Sequence, residues 1–277
     1  MEPCQVCGSL DLEDYVVRAD AHYVRCRGCG LIVNADARRL AQEARERYDS
    51  ATYFRGYAAR LCRKIAAARR RIDLIASYVP GGRLLDVGCG LGETLVAAWE
   101  AGFEVEGLDI GAYPTAHCRG LGFTVHQASI TNTGLPDASF DVITLWDIVE
   151  HVPSTHDVLA EVSRILKPGG IVAMLVPSGE YLKAHLLRNI YQNYRGVWAK
   201  THFVYHNSRT LRRVLREHAL QPLPLPVLWR GAFRRGPLSA ACEIVAAMPR
   251  WAALELRSAL RLTRNLFVIA RRGVNGG

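Results

Sequence analysis

The chain has 277 residues, of which 49% are apolar and 22% charged, and its formal net charge at pH 7 is +9. This length can bury one full α/β core and a small accessory unit. No apolar run approaches the roughly 20 residues of a membrane-spanning helix. The start, MEPCQVCG, lacks the basic and apolar regions of a secretion signal, so we expect a cytoplasmic protein.

The positive charge is concentrated in the last third of the chain. Residues 183–277 carry 17 Lys and Arg against three Asp and Glu, whereas residues 1–182 have a net charge of −5. A solvated basic surface explains this asymmetry. A flank that attracts an anionic substrate, an acidic carrier protein, RNA or a membrane surface explains it as well. The sequence leaves these alternatives open and indicates no oligomeric state.

Four cysteines near the N-terminus predict a metal site. Cys4 and Cys7 form one C-x2-C pair, Cys26 and Cys29 form a second, and 18 residues separate the pairs. This is the spacing of a four-thiolate zinc ribbon, in which each pair forms a tight knuckle. Disulfides are the alternative, which the cytoplasm disfavours. We therefore expect residues 1–36, which we call the ribbon, to bind structural Zn²⁺ and to act as a structural cap or a substrate-side lid.

A helical linker or cap is predicted for residues 37–82. Apolar residues recur at helical spacing in its second half, and the basic run at 69–71 is predicted to lie on a solvated helix face. The four cysteines outside the ribbon have no ligand spacing, and we expect all of them to be buried thiols: Cys62, Cys89, Cys118 and Cys242.

Residues 84–109, LLDVGCGLGETLVAAWEAGFEVEGLD, predict a nucleoside-binding loop. Glycines at 88, 90 and 92 permit a sharp turn close to a ligand, at the N-terminus of the next helix. Asp109, at the tip of the second strand, can accept hydrogen bonds from both hydroxyls of a ribose. The spacing is G-x-G-x-G rather than the dinucleotide G-x-G-x-x-G, and Asp86 and Glu93 flank the loop. Two acids suit the ammonium and sulfonium of S-adenosylmethionine (SAM) better than a pyrophosphate.

On these residues the chain resembles the class I SAM-dependent methyltransferases. The resemblance spans residues 82–215 and includes the F-D, E-H and RILKPGG motifs within residues 135–177. It implies an α/β fold with a Rossmann-like, doubly wound, seven-stranded sheet, mostly parallel with an antiparallel last strand, in a domain over residues 83–277. It also implies the following SAM-binding residues: Asp86, Gly88, Cys89, Gly90, Gly92, Asp109, Ile110, Ser129, Ile130 and Trp146. Many family members carry an acid that reads the adenine amino group, but the run HQASITN offers only Ser129 or a backbone group.

The N-terminal pattern CxxCGS…YxRCxxCGLIxN, followed by YDSATYF, resembles a bacterial subfamily in which a zinc-binding segment precedes the catalytic domain. That subfamily includes deoxysugar C-methyltransferases and enzymes of specialised metabolism. Tyr53, Phe54 and Tyr57 resemble an aromatic entry that closes over methionine in related enzymes, although core packing explains them almost as well.

Alternating patterns predict strands at 83–88, 104–109, 123–127, 140–146 and 169–176, which indicate a parallel sheet. A lid is predicted at 178–210, and a helix begins near Ser208. The last two strands are predicted at 223–229 and 265–272. Between them, residues 237–262 predict an amphipathic helical insertion that packs on the domain or a dimer partner, contacts a membrane peripherally, or forms a wall of an apolar substrate pocket.

Methyl transfer to a hydroxyl or an acidic C–H requires a base near the methyl group. His151, just after the fourth strand, is the leading candidate, although a structural hydrogen bond in the E-H turn explains this residue at least as well. His202, Tyr205 and Tyr194 from the lid are alternatives. They serve as proton acceptors or as pocket walls.

A second metal site is implied by a further resemblance. Asp147, Glu150 and His151, with His202 or His206, resemble the D/E-x2-E-H arrangement of the ubiquinone-pathway O-methyltransferases and the small-RNA 2′-O-methyltransferases. In those groups a divalent ion activates a hydroxyl, so Mg²⁺ or a similar ion is implied here.

The sequence thus predicts a SAM-dependent methyltransferase acting on a small-molecule acceptor in specialised-metabolite or sugar biosynthesis, with O-methylation ahead of C-methylation. An RNA methyltransferase that uses the basic last third as a track is the first alternative. The run WDIVEH, in place of N/D-P-P-Y/F, disfavours an amino-directed nucleic-acid enzyme. A non-catalytic SAM-binding protein is the second alternative.

Overall fold

The computed structural model describes residues 2–18, 21–41, 54, 57, 60–180, 201–224 and 265–274. Several predictions fall outside these residues: Tyr53, Tyr194, Cys242, the insertion 237–262 and most of the lid 178–210. None of the described helices has the length and hydrophobicity that crossing a bilayer requires.

The described elements follow in chain order. The first half contains β1 (Leu12–Arg18), β2 (Ala21–Cys26), β3 (Ile32–Asn34), α1 (Leu61–Ala76), β4 (Arg83–Val87), α2 (Glu93–Glu100), β5 (Glu104–Asp109), α3 (Ala112–Gly120) and β6 (Thr124–Gln127). The second half contains β7 (Phe140–Trp146), a 3-10 turn (Val149–His151), α4 (Thr155–Ile165), β8 (Leu166–Pro177), β9 (Val204–Tyr205), α5 (Ser208–Glu217), β10 (Leu220–Pro222) and β11 (Asn265–Arg272).

Seven strands form the large sheet, in the order β10-β11-β8-β7-β4-β5-β6. Strand β11 runs antiparallel to both of its neighbours, β10 and β8, and the other adjacent pairs of this sheet are parallel. The predicted doubly wound, mostly parallel sheet with an antiparallel last strand is therefore confirmed. The predicted strand at 223–229 is displaced, because β10 already ends at Pro222 and residues beyond 224 lie outside the described part.

Both faces of this sheet are covered, which explains the near-continuous apolar runs of its central strands. Leu84 of β4 packs toward α1 and α2, whereas its neighbour Leu85 packs toward α4 on the opposite face. In β7, Val142 and Ile143 alternate between the same two clusters. This packing holds the carboxyl ends of β4, β5 and β7 at one edge, where the loops converge.

Helix α1 is part of this core rather than of a linker, which corrects the predicted boundary at residue 82. Its residues Ala68, Ile72 and Ile75 are buried against the sheet. The prediction of a solvated basic face is wrong for Arg71, whose guanidinium lies 4.7 Å from the centroid of the Trp146 ring. Position 71 is three residues after 68 and four before 75, so helical geometry places it on the inward face.

The ribbon forms a second, four-stranded sheet of order β1-β2-β3-β9. Strand β9 comes from the catalytic half of the chain and pairs Tyr205 with Ile32 and Val204 with Val33. The ribbon is thus joined by hydrogen bonds to residues 201–207, within the predicted lid. Among the remaining cysteines, Cys89 and Cys118 are buried as predicted, but Cys62 is exposed in the first turn of α1.

Candidate functional site

The glycine loop between β4 and α2 lies at the carboxyl edge of the large sheet. Gly88 has a φ of +69°, and a Cβ built there would lie 2.1 Å from Ile148 Cδ1. The positive φ strains any residue with a side chain, so this position favours glycine. Asp109 Oδ2 accepts a hydrogen bond from Gly90 N at 3.0 Å, and its Oδ1 accepts one from Gly111 N at 2.9 Å. A carboxylate can accept about four hydrogen bonds, so these contacts are compatible with a ribose as well.

A cavity of about 1650 Å³ opens above this loop. Among the residues predicted to bind the cofactor, these line it: Gly88, Gly90, Asp109, Ile110, Ser129, Ile130 and Trp146. Ribbon residues, including Leu31 and Val33, form the opposite wall. Ligand pockets of about 300–1,000 Å³ are usual, so this cavity has room for two ligands. The Ser129 hydroxyl lies 2.9 Å from Thr131 Oγ1, within a turn at the edge of the cavity.

A smaller cavity of about 90 Å³ adjoins the loop and is lined by Asp86, Cys89, Glu93, Arg71 and Trp146, among others. Glu93 Oε2 and Trp146 Nε1 are buried there with no hydrogen-bond partner in the described part of the chain. Burial raises the pKa of Asp86 to about 8, although its carboxylate accepts a hydrogen bond from Thr144 Oγ1 at 2.5 Å. Buried polar atoms without partners are costly. This cavity therefore fits a polar ligand that carries both a positive and a negative charge.

Two aromatic residues cover the glycine loop. The Phe54 ring stacks on Tyr113 with centroids 5.5 Å apart and meets Tyr57 edge-on at 5.9 Å. Tyr57 OH donates a hydrogen bond to Glu93 Oε1. A Cβ at Gly90 would lie 3.5 Å from Tyr57 OH. Phe54 and Tyr57 therefore lie where the predicted aromatic entry requires them.

A methyltransferase domain family matches residues 53–224, more than half of the chain. The chain belongs to this family. It carries a SAM-dependent methyltransferase domain, a type of domain for which SAM is the methyl donor.

Curated relatives match part of this enzyme. A ubiquinone biosynthesis O-methyltransferase from Methylococcus capsulatus is 36% identical over 126 residues, which cover 42% of this chain and 53% of that protein. One from Hahella chejuensis is 39% identical over 108 residues, covering 36% and 45%. The enzyme therefore matches about half the length of these relatives.

Solved structures agree on the fold. A SAM-dependent methyltransferase from Archaeoglobus fulgidus has a TM-score of 0.52 at 20% identity, covering 75% of this chain and 94% of that chain. Geranyl diphosphate C-methyltransferase from Streptomyces coelicolor A3(2), in complex with Mg²⁺, geranyl diphosphate and S-adenosyl-L-homocysteine, has a TM-score of 0.52 at 18% identity. That match covers 81% of this chain and 86% of the other. At these identities the likeness shows the fold alone.

Of the three residues predicted to be catalytic in the methyltransferase, only His151 belongs to the described lining of the large cavity. Its Nδ1 lies 2.6 Å from the carbonyl oxygen of Thr201. A carbonyl only accepts, so Nδ1 carries the hydrogen and Nε2 carries the lone pair. Desolvation lowers the pKa of His151 to about 4, which keeps the ring neutral at pH 7.

His202 and Tyr205 lie behind His151 rather than in the cavity. The His151 and His202 rings meet edge-on with centroids 4.8 Å apart. Tyr205 is 1% exposed, and its OH lies 3.2 Å from His202 Nδ1. The structure therefore places Tyr205 where it can orient His202, but not where it can contact a ligand in this cavity.

The residues that could form the implied second metal site differ from the predicted set. Glu150, His151 and His202 offer ligand atoms within 4.8 Å of one another, whereas Asp147 and His206 are absent from this group. His206 lies elsewhere, because its Nε2 contacts Thr155 Oγ1 at 2.9 Å and its Nδ1 contacts Thr210 Oγ1 at 3.2 Å. Burial and the charge of Asp147 raise the pKa of Glu150, whose Oε2 is buried without a hydrogen-bond partner among the described residues.

The four ribbon cysteines come together as their spacing predicts. Their sulfur atoms lie within 4.8 Å of one another, with Cys4 Sγ 3.6 Å from Cys29 Sγ and Cys7 Sγ 3.5 Å from Cys26 Sγ. None of the four forms a disulfide. A tetrahedral Zn²⁺ with Zn–S distances of about 2.3 Å separates its sulfurs by about 3.8 Å. The donor set and its dimensions fit structural zinc.

Sequence reasoning missed Arg71 as a site residue. The helical phase it shares with Ala68 and Ile75 was the available sign, but the flanking arginines at 69 and 70 concealed it. Desolvation lowers the pKa of Arg71, while Asp147, Asp86 and Glu93 oppose that shift. The small cavity thus holds a guanidinium beside three acids, which makes Arg71 a candidate for binding an anionic group of a ligand.

Proposed function

We propose that this methyltransferase transfers a methyl group from SAM to a hydroxyl of a small-molecule acceptor. The observation that carries the proposal is the large cavity between the glycine loop and the ribbon, with His151 in its wall. The curated relatives, named ubiquinone biosynthesis O-methyltransferases, support oxygen as the target. C-methylation is the next alternative. A role in specialised-metabolite or sugar biosynthesis rests on the sequence resemblance alone, and a cytoplasmic location is likewise only our proposal.

The cofactor half of the site divides between the two cavities. Asp109 accepts the ribose hydroxyls above the glycine loop, and Ser129 and Ile130 border the adenine position. In the small cavity, the Arg71 guanidinium pairs with the carboxylate of the methionine moiety, while Glu93 Oε2 and Asp86 accept from its ammonium. SAM supplies an electrophilic methyl group on a sulfonium.

The acceptor half places a hydroxyl beside His151. The bond from Nδ1 to Thr201 O fixes the tautomer, so Nε2 can take the proton of the hydroxyl as the methyl group is transferred. Burial makes His151 a weak base in the unliganded protein. Glu150, whose carboxyl lies in the same cluster, can stabilise the imidazolium that forms.

A divalent cation at Glu150, His151 and His202 is the second candidate for activating the hydroxyl. The buried Glu150 Oε2, which has no hydrogen-bond partner among the described residues, favours it. These one-oxygen, two-nitrogen ligands suit Mn²⁺ or Zn²⁺ better than Mg²⁺. The cation would supply positive charge to the acceptor oxygen. Retention of full turnover after dialysis against a chelator too weak to strip the ribbon would exclude it.

The acceptor is proposed to be anionic on narrower grounds. Arg38 and Arg39 line the outer part of the cavity, where exposed Glu2 and Asp36 pair with them at 3.3 Å and 3.7 Å. Exposed pairs of this kind exchange readily for a ligand carboxylate or phosphate. Zn²⁺ in the ribbon is likewise our proposal, and metal analysis of the purified protein tests it.

The decisive experiment combines binding and turnover. Calorimetry with S-adenosylhomocysteine tests the cofactor half, and mass spectrometry of a panel of phenols, catechols and sugars incubated with SAM tests the acceptor half. His151→Ala is expected to lower kcat by about 100-fold or more and to leave S-adenosylhomocysteine affinity unchanged. His126→Ala, which removes a histidine bound to Glu106 on the sheet surface, is the control. Equal turnover by both variants would reject His151 as the base.

A further inference from the structure

Residues 201–207 lie between the ribbon and the 3-10 turn Val149–His151, and they contact both. On the catalytic side, Phe203 N donates to Glu150 O at 2.5 Å. Thr201 O accepts from His151 Nδ1 at 2.6 Å, and the His202 ring packs edge-on against His151. The orientation of both members of the His151–His202 pair therefore depends on where this segment lies.

On the ribbon side, a separate set of contacts holds the same segment. Strand β9 pairs with β3, and Asn34 N donates to Phe203 O at 2.8 Å. Tyr23 OH donates to the carbonyl oxygen of His202 at 3.0 Å. Asn207 Nδ2 donates to the carbonyl oxygen of Cys29, a predicted zinc ligand, at 2.8 Å. The chain of contacts runs without a break from a cysteine knuckle to the imidazole in the cavity wall.

Tyr23 occupies the central position in this chain. It is 0% exposed, and its ring meets the Tyr205 ring edge-on at 5.7 Å. Tyr205 OH in turn contacts His202 Nδ1 at 3.2 Å. The two tyrosines thus hold His202 by its backbone and by its ring, while neither belongs to the described lining of the large cavity.

We propose that the ribbon is a positioning element for the His151–His202 pair and that Tyr23 is the residue through which it acts. The ribbon does more than roof the acceptor cavity: it sets the geometry of the proton-accepting group from behind. Tyr23 is a positioning residue, because it reaches the site only through His202. The inference rests on the proposed role of His151.

The test compares Tyr23→Phe with Tyr15→Phe in the full-length, zinc-loaded protein. Tyr15 lies in the same buried ribbon cluster, so the two variants lose one hydroxyl from the same core. We expect Tyr23→Phe to lower kcat by about tenfold, since small displacements of a reacting group cost that much or more. The KM values for SAM and acceptor should change less than about twofold. Tyr15→Phe should leave both constants unchanged.

A readout independent of turnover accompanies the kinetics. Hydrogen–deuterium exchange of the amides of residues 203–205 should increase in Tyr23→Phe at unchanged zinc content, whereas exchange in residues 84–92 should not. If Tyr23→Phe misfolds, Asn207→Ser replaces it. Serine remains a good N-cap for α5 but is too short to reach Cys29 O, so the same loss of kcat is expected.

Each outcome decides between the proposals. Unchanged kcat in Tyr23→Phe, with His151→Ala inactive, would overturn the positioning role and leave the proposed function intact. Equal losses in Tyr23→Phe and Tyr15→Phe would also overturn it, because general weakening of the ribbon would then explain both. If His151→Ala retains full turnover, the role of His151 fails first, and increased exchange at 203–205 would report a structural link only.

Discussion

The glycine loop and the ribbon face each other across the same cavity, but different interactions hold them in place. The loop extends from β4, which pairs with β5 on one side and β7 on the other, and Gly88 N donates to Leu108 O at 2.7 Å. Leu84 and Leu85 beneath it are fully buried. The loop is therefore supported by a large apolar core that needs no cofactor.

The ribbon has little core of its own. Its separate buried cluster contains five residues, and one of them, Tyr205, comes from β9 of the catalytic half. A segment of this size is usually unfolded without its metal or another staple. The glycine-loop side of the cavity is therefore built by burial within one sheet, whereas the ribbon side depends on its four clustered cysteines and on contacts with the rest of the chain.

Replacing a ribbon cysteine is expected to have the largest effect, and to disturb the ribbon without disturbing the glycine loop. We expect Cys26→Ser to reduce zinc from about one ion per chain to below about 0.1 and to lower kcat by at least about 100-fold, because the ribbon no longer holds residues 201–207. S-adenosylhomocysteine affinity should change by less than about threefold, since the loop is supported independently. Metal analysis, turnover and calorimetry measure these effects. Full activity without zinc would show that residues 201–207 do not need the metal-bound ribbon to hold them in place.

Replacing Asp86, the buried acid beneath the loop, should weaken cofactor binding strongly and leave the ribbon unaffected. Asp86→Asn removes a carboxyl group that can ionise beside the ligand ammonium and accept from it, so S-adenosylhomocysteine should bind about 30-fold more weakly, or about 2 kcal/mol. Zinc content should not change. A variant that binds as tightly as the natural protein would remove Asp86 from the cofactor site.

The same variant has a pH signature. The folded pKa of Asp86, about 8, lies above its ordinary value near 3.8, so the stability contributed by the protonated carboxyl is complete below pH 4 and is lost as pH rises through 8. Asparagine does not titrate. The unliganded variant should therefore gain stability relative to the natural protein as pH rises from about 4 to about 8, by at most about 1.4 kcal/mol per pH unit. Urea unfolding at several pH values measures it, and a pH-independent difference would contradict the buried charge.

A smaller effect separates two neighbouring arginines of α1. Arg71→Gln should weaken S-adenosylhomocysteine binding by about tenfold through loss of the ion pair to the ligand carboxylate. Arg70→Gln, one residue earlier on an exposed position, should leave binding unchanged. Calorimetry on both variants measures the difference. Equal affinities would show that Arg71 does not pair with the ligand carboxylate.

Local sequence patterns predicted the structure correctly where it depends on residues that are close together in the chain. The strands at 104–109, 140–146 and 265–272 appear where predicted, because apolar strand patterns and flanking glycines are local features. The clustering of the four ribbon cysteines and the place of Asp109 beside the glycine loop also follow from spacing. Arg71 did not, since its own neighbours in sequence are exposed arginines. Cys62 was expected to be buried, but it faces solvent at the start of a helix whose opposite side packs on the sheet.

The sequence by itself determined the doubly wound sheet, the cofactor loop and four converging thiols, because each is encoded within a short segment or a repeated spacing. Only the tertiary structure decided that β9 joins the ribbon sheet, that His202 rather than His206 lies beside His151, and that Tyr23 reaches His202 from 179 residues away. The physical reason is that these contacts join residues far apart in the chain, and neither periodicity nor spacing encodes which of several histidines or strand edges will meet once the core has packed.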